Sequence, residues 1–190
     1  MGREIIGKKL IRTLTDETEL SGIIVEAEAY GGNRDPASHA FRGKTRRNAV
    51  LFGEAGHAYV YFTYGAHYCL NFVTSSKIGK ASAVLIRAVE PVAGVDTMAL
   101  SRRTTVLTQI ANGPGKLTRA FEIDRTLNGI DVTLADSPIR VENGIPNVKV
   151  ATSRRIGINV AAERKWRFYS ADNLNVSRQP SRKMAIKRES

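Results

Sequence analysis

Cysteine is almost absent from this sequence: Cys69 is the only one among 190 residues. An internal disulfide is therefore impossible, and the fold does not depend on an oxidising compartment. The chain also contains no apolar run that approaches the roughly 20 residues of a membrane helix. We therefore expect an unexported protein of a reducing compartment, without a membrane span.

Histidine is scarce too, with only His39, His57 and His67 in the chain. Together with the single cysteine, these residues offer no ligand spacing of the His-x-x-x-His or Cys-x-x-Cys kind. We therefore predict no metal and no cofactor. A lone histidine near a loop, such as His39, is more often structural or exposed than catalytic.

Acidic residues are few relative to basic ones. Lysine and arginine number 29 against 18 aspartates and glutamates, which gives a net charge of +11 and a pI near 10.1. A polyanionic partner is the natural inference, and nucleic acid is the first candidate. Ribosome association, an anionic membrane surface or simple solubility would use the same charge. The net charge thus indicates a class of binding partner but does not indicate which reaction, if any, the protein catalyses.

No internal repeat, low-complexity segment or shift in composition divides the chain. We predict one compact domain over residues 1–176 and a basic, flexible tail over residues 177–190. The tail has no apolar periodicity, and its cations would add to the attraction for a polyanion. These cations are Arg178, Arg182, Lys183, Lys187 and Arg188.

A strand is predicted from Leu20 to Tyr30, where apolar and polar residues alternate. The alternation places Val25, Ala27 and Ala29 on one face and Glu26, Glu28 and Tyr30 on the other. A carboxylate ahead of a glycine-rich loop could serve as a general base. An ordinary solvated sheet face would have the same pattern, so both interpretations stay open.

An aromatic hairpin is predicted next, with β-rich runs at 57–63 and 67–74 and a tight turn at Gly65. Tyr64 comes at the tip, where a bulky ring has little core to enter. Tyr59 and Tyr61 share one face, and such rings can stack on bases or wedge between base pairs. Packing in a hydrophobic core would still explain Phe62 and Tyr59.

The other predicted elements are short. A helical turn with Asp35 as N-cap is predicted at 36–40, followed by a basic loop at 41–48. Helices are predicted at 95–101 and 116–123, the second after the turn Asn112-Gly113-Pro114-Gly115. Strands are predicted at 82–89, 132–134, 138–141 and 166–169. Many short strands with few helices indicate a mixed α+β domain.

Several sequence blocks in this order resemble one known family. They are Ile24-Val25-Glu26-Ala27-Glu28-Ala29-Tyr30, Asp35-Pro36-Ala37-Ser38-His39-Ala40, Thr45-Arg46-Arg47-Asn48, Gly56 to Gly65, Cys69-Leu70-Asn71, Val84 to Pro91, Asn112 to Leu117 and Arg155-Ile156-Gly157. Together they resemble the alkyladenine (3-methyladenine, methylpurine) DNA glycosylase family over nearly the whole chain. Ala66 departs from the methionine usual in that family after the Tyr-Gly turn, which leaves a smaller shoulder beside the hairpin tip.

The resemblance implies a monofunctional enzyme of base excision repair. It would flip alkylated or deaminated purines, such as 3-methyladenine, 7-methylguanine, hypoxanthine and ethenoadenine, out of duplex DNA and hydrolyse their bond to the sugar. The implied fold is a curved antiparallel β-sheet with a protruding DNA-intercalating β-hairpin and several short helices. The protein would act as a monomer on double-stranded DNA, with no membrane partner. It would be cytoplasmic and nucleoid-associated in a prokaryote, or nuclear in a eukaryote.

The resemblance also implies the roles of the residues that would line the active site. Glu28 is the expected general base, and Arg87 with the His39 backbone would help hold the attacking water. Tyr30 would stack on one face of the flipped base, and Tyr61 with His39 on the other.

Further roles follow for residues around that site. Asn71 would crowd the N2 edge of a purine and select against undamaged guanine. Tyr64 would fill the gap left in the duplex. Contacts with the DNA backbone are expected from Arg46, Arg47 and Lys116.

Alternatives exist for both the chemistry and the function. Glu26 competes with Glu28, which the resemblance favours because Glu28 directly precedes Ala-Tyr. A nucleophilic Lys44 or Lys116 would make a bifunctional glycosylase and lyase, which the resemblance disfavours. A non-catalytic module that binds damaged DNA would use the same hairpin. An RNA-binding protein would prefer single-stranded RNA.

Overall fold

A computed structural model describes residues 1–75, 77 and 79–177 of the chain. Its strands are β1 (Lys9–Thr13), β2 (Glu19–Tyr30), β3 (Ala58–Thr63), β4 (His67–Val73), β5 (Ala83–Ala93), β6 (Ile139–Glu142), β7 (Val150–Ser153) and β8 (Arg167–Ser170). Its α-helices are α1 (Val95–Arg102) and α2 (Pro114–Ala120), and its 3₁₀ helices are Gly32–Arg34, Ala49–Phe52, Leu107–Gln109 and Arg125–Leu127. The predicted α+β class is confirmed.

The strands form one curled antiparallel sheet in the order β3-β4-β5-β2-β1-β6, with β8 paired to β2 and β7 paired to β8. Strand β2 is the longest and the most central. It pairs with β5 along one edge, and along the other it pairs first with β1 and then with β8. Residues near the end of β2 are therefore enclosed by strands from distant parts of the sequence.

The main core lies between the sheet and the two α-helices. Met98 of α1 and Leu117 of α2 are fully buried against sheet residues such as Ile24 and Ile86. Pro114 occupies the first turn of α2, where its missing N–H has no helical partner to lose. This helix therefore begins two residues earlier than predicted, and it ends at Ala120.

A β-bulge interrupts the pairing of β2 with β5. The register runs from Ile24–Val89 to Glu26–Ala88 and then to Ala27–Ile86, so that Val25 and Arg87 have no opposite residue. Bulges re-aim side chains and are common beside active sites. The strict alternation predicted for β2 is thus wrong at this point. Val25 packs in a small cluster with Ala88, whereas Ala27 belongs to the main core.

Of the two interpretations left open for the polar face of β2, the solvated sheet face is wrong. Both Glu26 and Glu28 are fully buried. The physical reason is the coverage of this face by Arg87 of β5, Arg167 of β8 and Ser177, all of which bond these carboxylates or lie within salt-bridge distance of them.

Strands β3 and β4 pair in register from Ala58–Phe72 to Thr63–His67 and join through Tyr64-Gly65-Ala66. Tyr59 is buried, as core packing predicts, but Phe62 is 46% exposed and packs along Tyr68, so the core position expected for it is wrong. Strand alternation explains the difference, because Phe62 points away from the face that Tyr59 and Tyr61 share.

Two further differences concern short elements. The strand predicted at 132–134 is a series of turns, because Asp131 Oδ1 accepts hydrogen bonds from both the backbone N–H and the hydroxyl of Thr133. Residues 36–40 form turns instead of a helix, although Asp35 accepts the Ala37 N–H at 3.3 Å. Strands β1 and β7 were not predicted.

The predicted basic tail lies outside the described residues from position 178 onward. Ser177, which begins it, is buried and bonded to Glu26. None of the helices in the described part of the chain is both long and apolar enough to cross a membrane.

Candidate active site

A cavity of about 670 Å³ opens between the β3–β4 hairpin, the end of β2 and the loop after β7. Its volume lies within the range of small-molecule sites. Seven of the predicted site residues line it, namely Tyr30, His39, Tyr61, Tyr64, Asn71, Arg87 and Lys116. Residues that the sequence separates widely are therefore brought to one place.

Glu28 lies directly behind the wall of this cavity. Its Oε1 accepts the backbone N–H of Ile156 at 2.7 Å, and its Oε2 accepts the hydroxyl of Tyr30 at 2.9 Å. Arg87 Nη1 lies 3.4 Å from the same Oε1. Burial raises the pKa of Glu28 above its ordinary value, and Arg87 and the two hydrogen bonds offset that rise only in part.

Glu26 is held more tightly than Glu28. It accepts hydrogen bonds from Arg87 Nε at 2.8 Å, Arg167 Nε at 2.7 Å, the Ser177 hydroxyl at 2.9 Å and the Ser177 backbone N–H at 2.7 Å. Arg87 thus bridges the two carboxylates. Its own burial lowers its pKa, but the attraction of Glu28 and Glu26 outweighs this and keeps the pKa above the ordinary value.

Tyr30 is fixed from two sides. Its hydroxyl bonds Glu28, and the guanidinium of Arg155 lies 4.7 Å from the centre of its ring. Arg155 in turn donates to both oxygens of Asp35, at 2.6 and 2.8 Å, in a fully buried ion pair. The guanidinium also lies 5.2 Å from the ring of Trp166. The other face of Tyr30 is left for the cavity.

A group of aromatic rings also lines the cavity. The rings of His39 and Tyr61 lie 4.5 Å apart, and Tyr61 and Tyr59 lie 5.2 Å apart. His39 Nδ1 is 3.1 Å from the Tyr59 hydroxyl, and its carbonyl accepts the Asn48 amide at 2.8 Å. Burial, with Arg47 nearby, lowers the pKa of His39, so its ring is neutral at pH 7.

The floor of the cavity contains Asn71 and Cys69 of β4. Asn71 is buried, and its amide donates to the Tyr59 carbonyl at 3.1 Å, which fixes the direction of the side chain. Burial raises the pKa of the Cys69 thiol, so it is protonated at neutral pH. Among the described residues, no three His, Cys, Asp or Glu side chains are grouped as metal ligands would be.

The rim combines an exposed ring with several cations. Tyr64 is 85% exposed at the hairpin tip and has a left-handed φ of 52°. Lys116 Nζ donates to Asn112 Oδ1 at 2.7 Å. Arg47 donates to the Phe62 carbonyl at 3.0 Å and leans over Tyr61, whereas Arg46 is exposed.

Sequence reasoning missed several residues that shape this site. Ile156 and Arg155 belong to a block that was recognised without a role, and Asp35 was predicted only as a cap. No pattern in the sequence pointed to Arg167 or Ser177 as residues of this site. Their shared partner in the cluster, Glu26, lies 141 and 151 positions away along the chain.

Comparison with known proteins agrees with this site. The family model described as methylpurine-DNA glycosylase matches residues 1–174. The chain belongs to the methylpurine-DNA glycosylase family. The family is one of DNA repair enzymes that act in base excision repair.

Individual relatives extend the match. A protein of Carboxydothermus hydrogenoformans is 49% identical over 162 residues, which cover 84% of this chain and 83% of the relative. A Francisella tularensis protein is 42% identical and covers 93% and 92%, and one of Chlorobium luteolum is 45% identical and covers 92% and 88%. All three carry the name "Putative 3-methyladenine DNA glycosylase".

Membership of the methylpurine-DNA glycosylase family implies a hydrolase that cleaves an N-glycosidic bond and has DNA as its substrate. The relatives come from bacteria.

Proposed function

We propose that this methylpurine-DNA glycosylase flips alkylated or deaminated purines out of duplex DNA and removes them by hydrolysis, without lyase activity. The lesions are 3-methyladenine, 7-methylguanine, hypoxanthine and ethenoadenine. Since the relatives are bacterial, the DNA is that of the nucleoid. One molecule suffices, because a single flipped nucleotide fills a single cavity.

The observation that carries this proposal is the buried carboxylate of Glu28 behind the cavity. Burying a carboxylate costs free energy unless partners hold it, and here Ile156, Tyr30 and Arg87 do so. A raised pKa also makes a carboxylate a stronger base near neutral pH. Glu28 would take a proton from water as that water attacks the anomeric carbon, and its charge would stabilise the oxocarbenium-like transition state.

The walls fit a flat base. Tyr30, Tyr61 and His39 all line the cavity, and Tyr30 would stack on one face of the base and Tyr61 with His39 on the other. Electron-rich rings attract electron-poor, alkylated purines, whose positive charge strengthens the stacking. Asn71 would then restrict the N2 edge of the base, because its amide is already held by the Tyr59 carbonyl.

The hairpin tip fits a wedge. Tyr64 contributes almost nothing to the core, yet it keeps a backbone conformation that is uncommon for a bulky residue. Inserted aromatic side chains stabilise an opened base step. The exposed Arg46, with Arg47 and Lys116 at the rim, would contact phosphates on either side.

The surroundings of the two candidate nucleophilic lysines support hydrolysis instead of lyase chemistry. Lys116 is bonded to Asn112, and Lys44 is exposed on the basic loop. A Schiff base would need a neutral amine at the anomeric carbon. Trapping with borohydride on abasic DNA should therefore give no covalent adduct.

A panel of duplex oligonucleotides tests the function. Each carries one lesion of the four classes, and an undamaged duplex is the control. We expect release of the free base and an intact abasic strand. Binding to every duplex without release of any base would favour the non-catalytic module that binds damaged DNA. A preference for single-stranded RNA would favour the RNA-binding protein.

A further inference from the structure

Arg87, at the β-bulge between β2 and β5, lies between two carboxylates that have unequal surroundings. Arg87 Nε is 2.8 Å from Glu26, whereas its Nη1 is 3.4 Å from Glu28. The closer partner is the carboxylate that does not carry out the proposed chemistry. An arginine paired with Glu28 alone would hold that carboxylate more strongly and weaken it as a base.

The cluster is electrically balanced by four buried side chains, with Glu26 and Glu28 opposite Arg87 and Arg167. A structural role alone does not require such a cluster, because buried ion pairs are often replaced by apolar residues without loss of stability. The geometry instead gives each residue of the cluster a separate role. Arg167 and Ser177 fix Glu26, Glu26 fixes Arg87, and Arg87 reaches Glu28 with its far end.

We propose that Glu26 is a positioning residue that holds Arg87 across the two carboxylates and so leaves Glu28 available to activate water. This inference rests on the proposed function, since it assumes that Glu28 is the base. Arg167 acts with Glu26, because its Nε bonds the same oxygen that Arg87 bonds.

The charges around Glu28 determine how substitutions act. Glu26 and Tyr30 lie on its own strand, Arg87 on β5 and Cys69 on β4, and Arg155 lies in the loop after β7. Removal of the negative charge of Glu26 leaves Arg87 with Glu28 as its only carboxylate, which lowers the pKa of Glu28. Removal of the positive charge of Arg167 has the opposite effect and raises the pKa of Glu28.

The test is the pH profile of single-turnover base release from a duplex that contains 7-methylguanine. For Glu26→Gln we expect the acid limb to move to lower pH by about one unit, with a plateau rate reduced about tenfold. For Arg167→Gln we expect the limb to move to higher pH. DNA affinity should stay within about twofold of the wild-type value in both variants.

Glu90→Gln is the matched control, since Glu90 of β5 accepts the Asn173 amide at 2.7 Å outside this cluster. Its profile should equal that of the wild type. Unchanged acid limbs in both cluster variants would overturn the inference while the proposed function stands, and an inactive wild-type protein would overturn both. If Glu26→Gln does not fold, as thermal melting would reveal, Arg167→Gln alone decides.

Discussion

At the scale of single residues, the ionisation of Glu28 determines how activity should depend on pH. Its pKa is raised above the ordinary 4.5 by burial, and a base must be ionised to act. As the pH falls, the active form is therefore lost at a higher pH than for an exposed glutamate. With 7-methylguanine the leaving base already carries positive charge, so Glu28 alone should determine the acid limb.

The prediction is that the single-turnover rate of 7-methylguanine release falls on the acid side with a midpoint above 4.5. A pH series on one labelled duplex measures it. A midpoint at or below that of a free glutamate would contradict the assignment of Glu28 as the base.

A second residue-scale prediction concerns the ion pair behind Tyr30. Asp35→Asn leaves the fully buried Arg155 without its charge partner, so we expect the free energy of unfolding to fall by about 3–5 kcal/mol. Asp136→Asn, at an exposed position, is the control and should change it by less than about 0.5 kcal/mol. Urea titration measures both, and equal values would remove the support assigned to Tyr30.

Local sequence determined part of this site and could not reveal the rest. Glu28, Tyr30 and the hairpin tyrosines lie in blocks whose spacing is visible in the sequence. The Asp35–Arg155 pair and the Ile156–Glu28 bond join residues 120 and 128 positions apart, which no local pattern reports. Only the three-dimensional meeting of β2 with the loop after β7 brings them together.

At the scale of elements, the predicted strands that the structure contains are β2, β3, β4 and β5, which have continuous β-rich runs, and the shorter β6 and β8, predicted at 138–141 and 166–169. Strands β1 and β7 were not predicted; they have 5 and 4 residues and carry basic or hydroxyl side chains. The bulge at Val25 was invisible because alternation in sequence does not record which residues are paired. Arg87 lies at that bulge, beside the two carboxylates.

The hairpin provides the prediction at this scale. Tyr64→Ala removes an exposed ring, so stability should change by less than about 0.5 kcal/mol. Base release from a lesion duplex should fall about tenfold or more, because stacking on bases is worth about 1–3 kcal/mol.

Phe62→Ala is the matched control, since Phe62 is an exposed aromatic residue on the same hairpin that packs against Tyr68. It should leave base release nearly unchanged. Equal losses in the two variants would mean that the hairpin needs aromatic bulk in general and that Tyr64 has no special place at the tip.

At the scale of the whole molecule, we expect the charge of +11 to attract DNA over a long range and the proposed cavity to provide selectivity for the damaged base. Salt distinguishes the two contributions, because it weakens the long-range electrostatic attraction. We expect affinity for undamaged duplex to fall steeply between about 50 and 200 mM salt, and Arg46→Ala to reduce the slope of log affinity against log salt by about one.

Lys149→Ala is the control for that series, because the side chain of Lys149, directly before β7, is 82% exposed and lies outside the cavity lining. Its slope should match the wild-type slope. Fluorescence anisotropy with a labelled duplex measures all three proteins. A salt-independent affinity would contradict an electrostatic origin of the attraction.

The central claim is that Glu28 activates the water that releases the base. The measurement that tests it most directly is single-turnover release from hypoxanthine- or alkylpurine-containing duplex by Glu28→Gln, with affinity for the same duplex measured in parallel. The amide keeps the size of the side chain and its bond from the Ile156 N–H, so we predict that binding survives and release is abolished. Release at the wild-type rate would contradict the account.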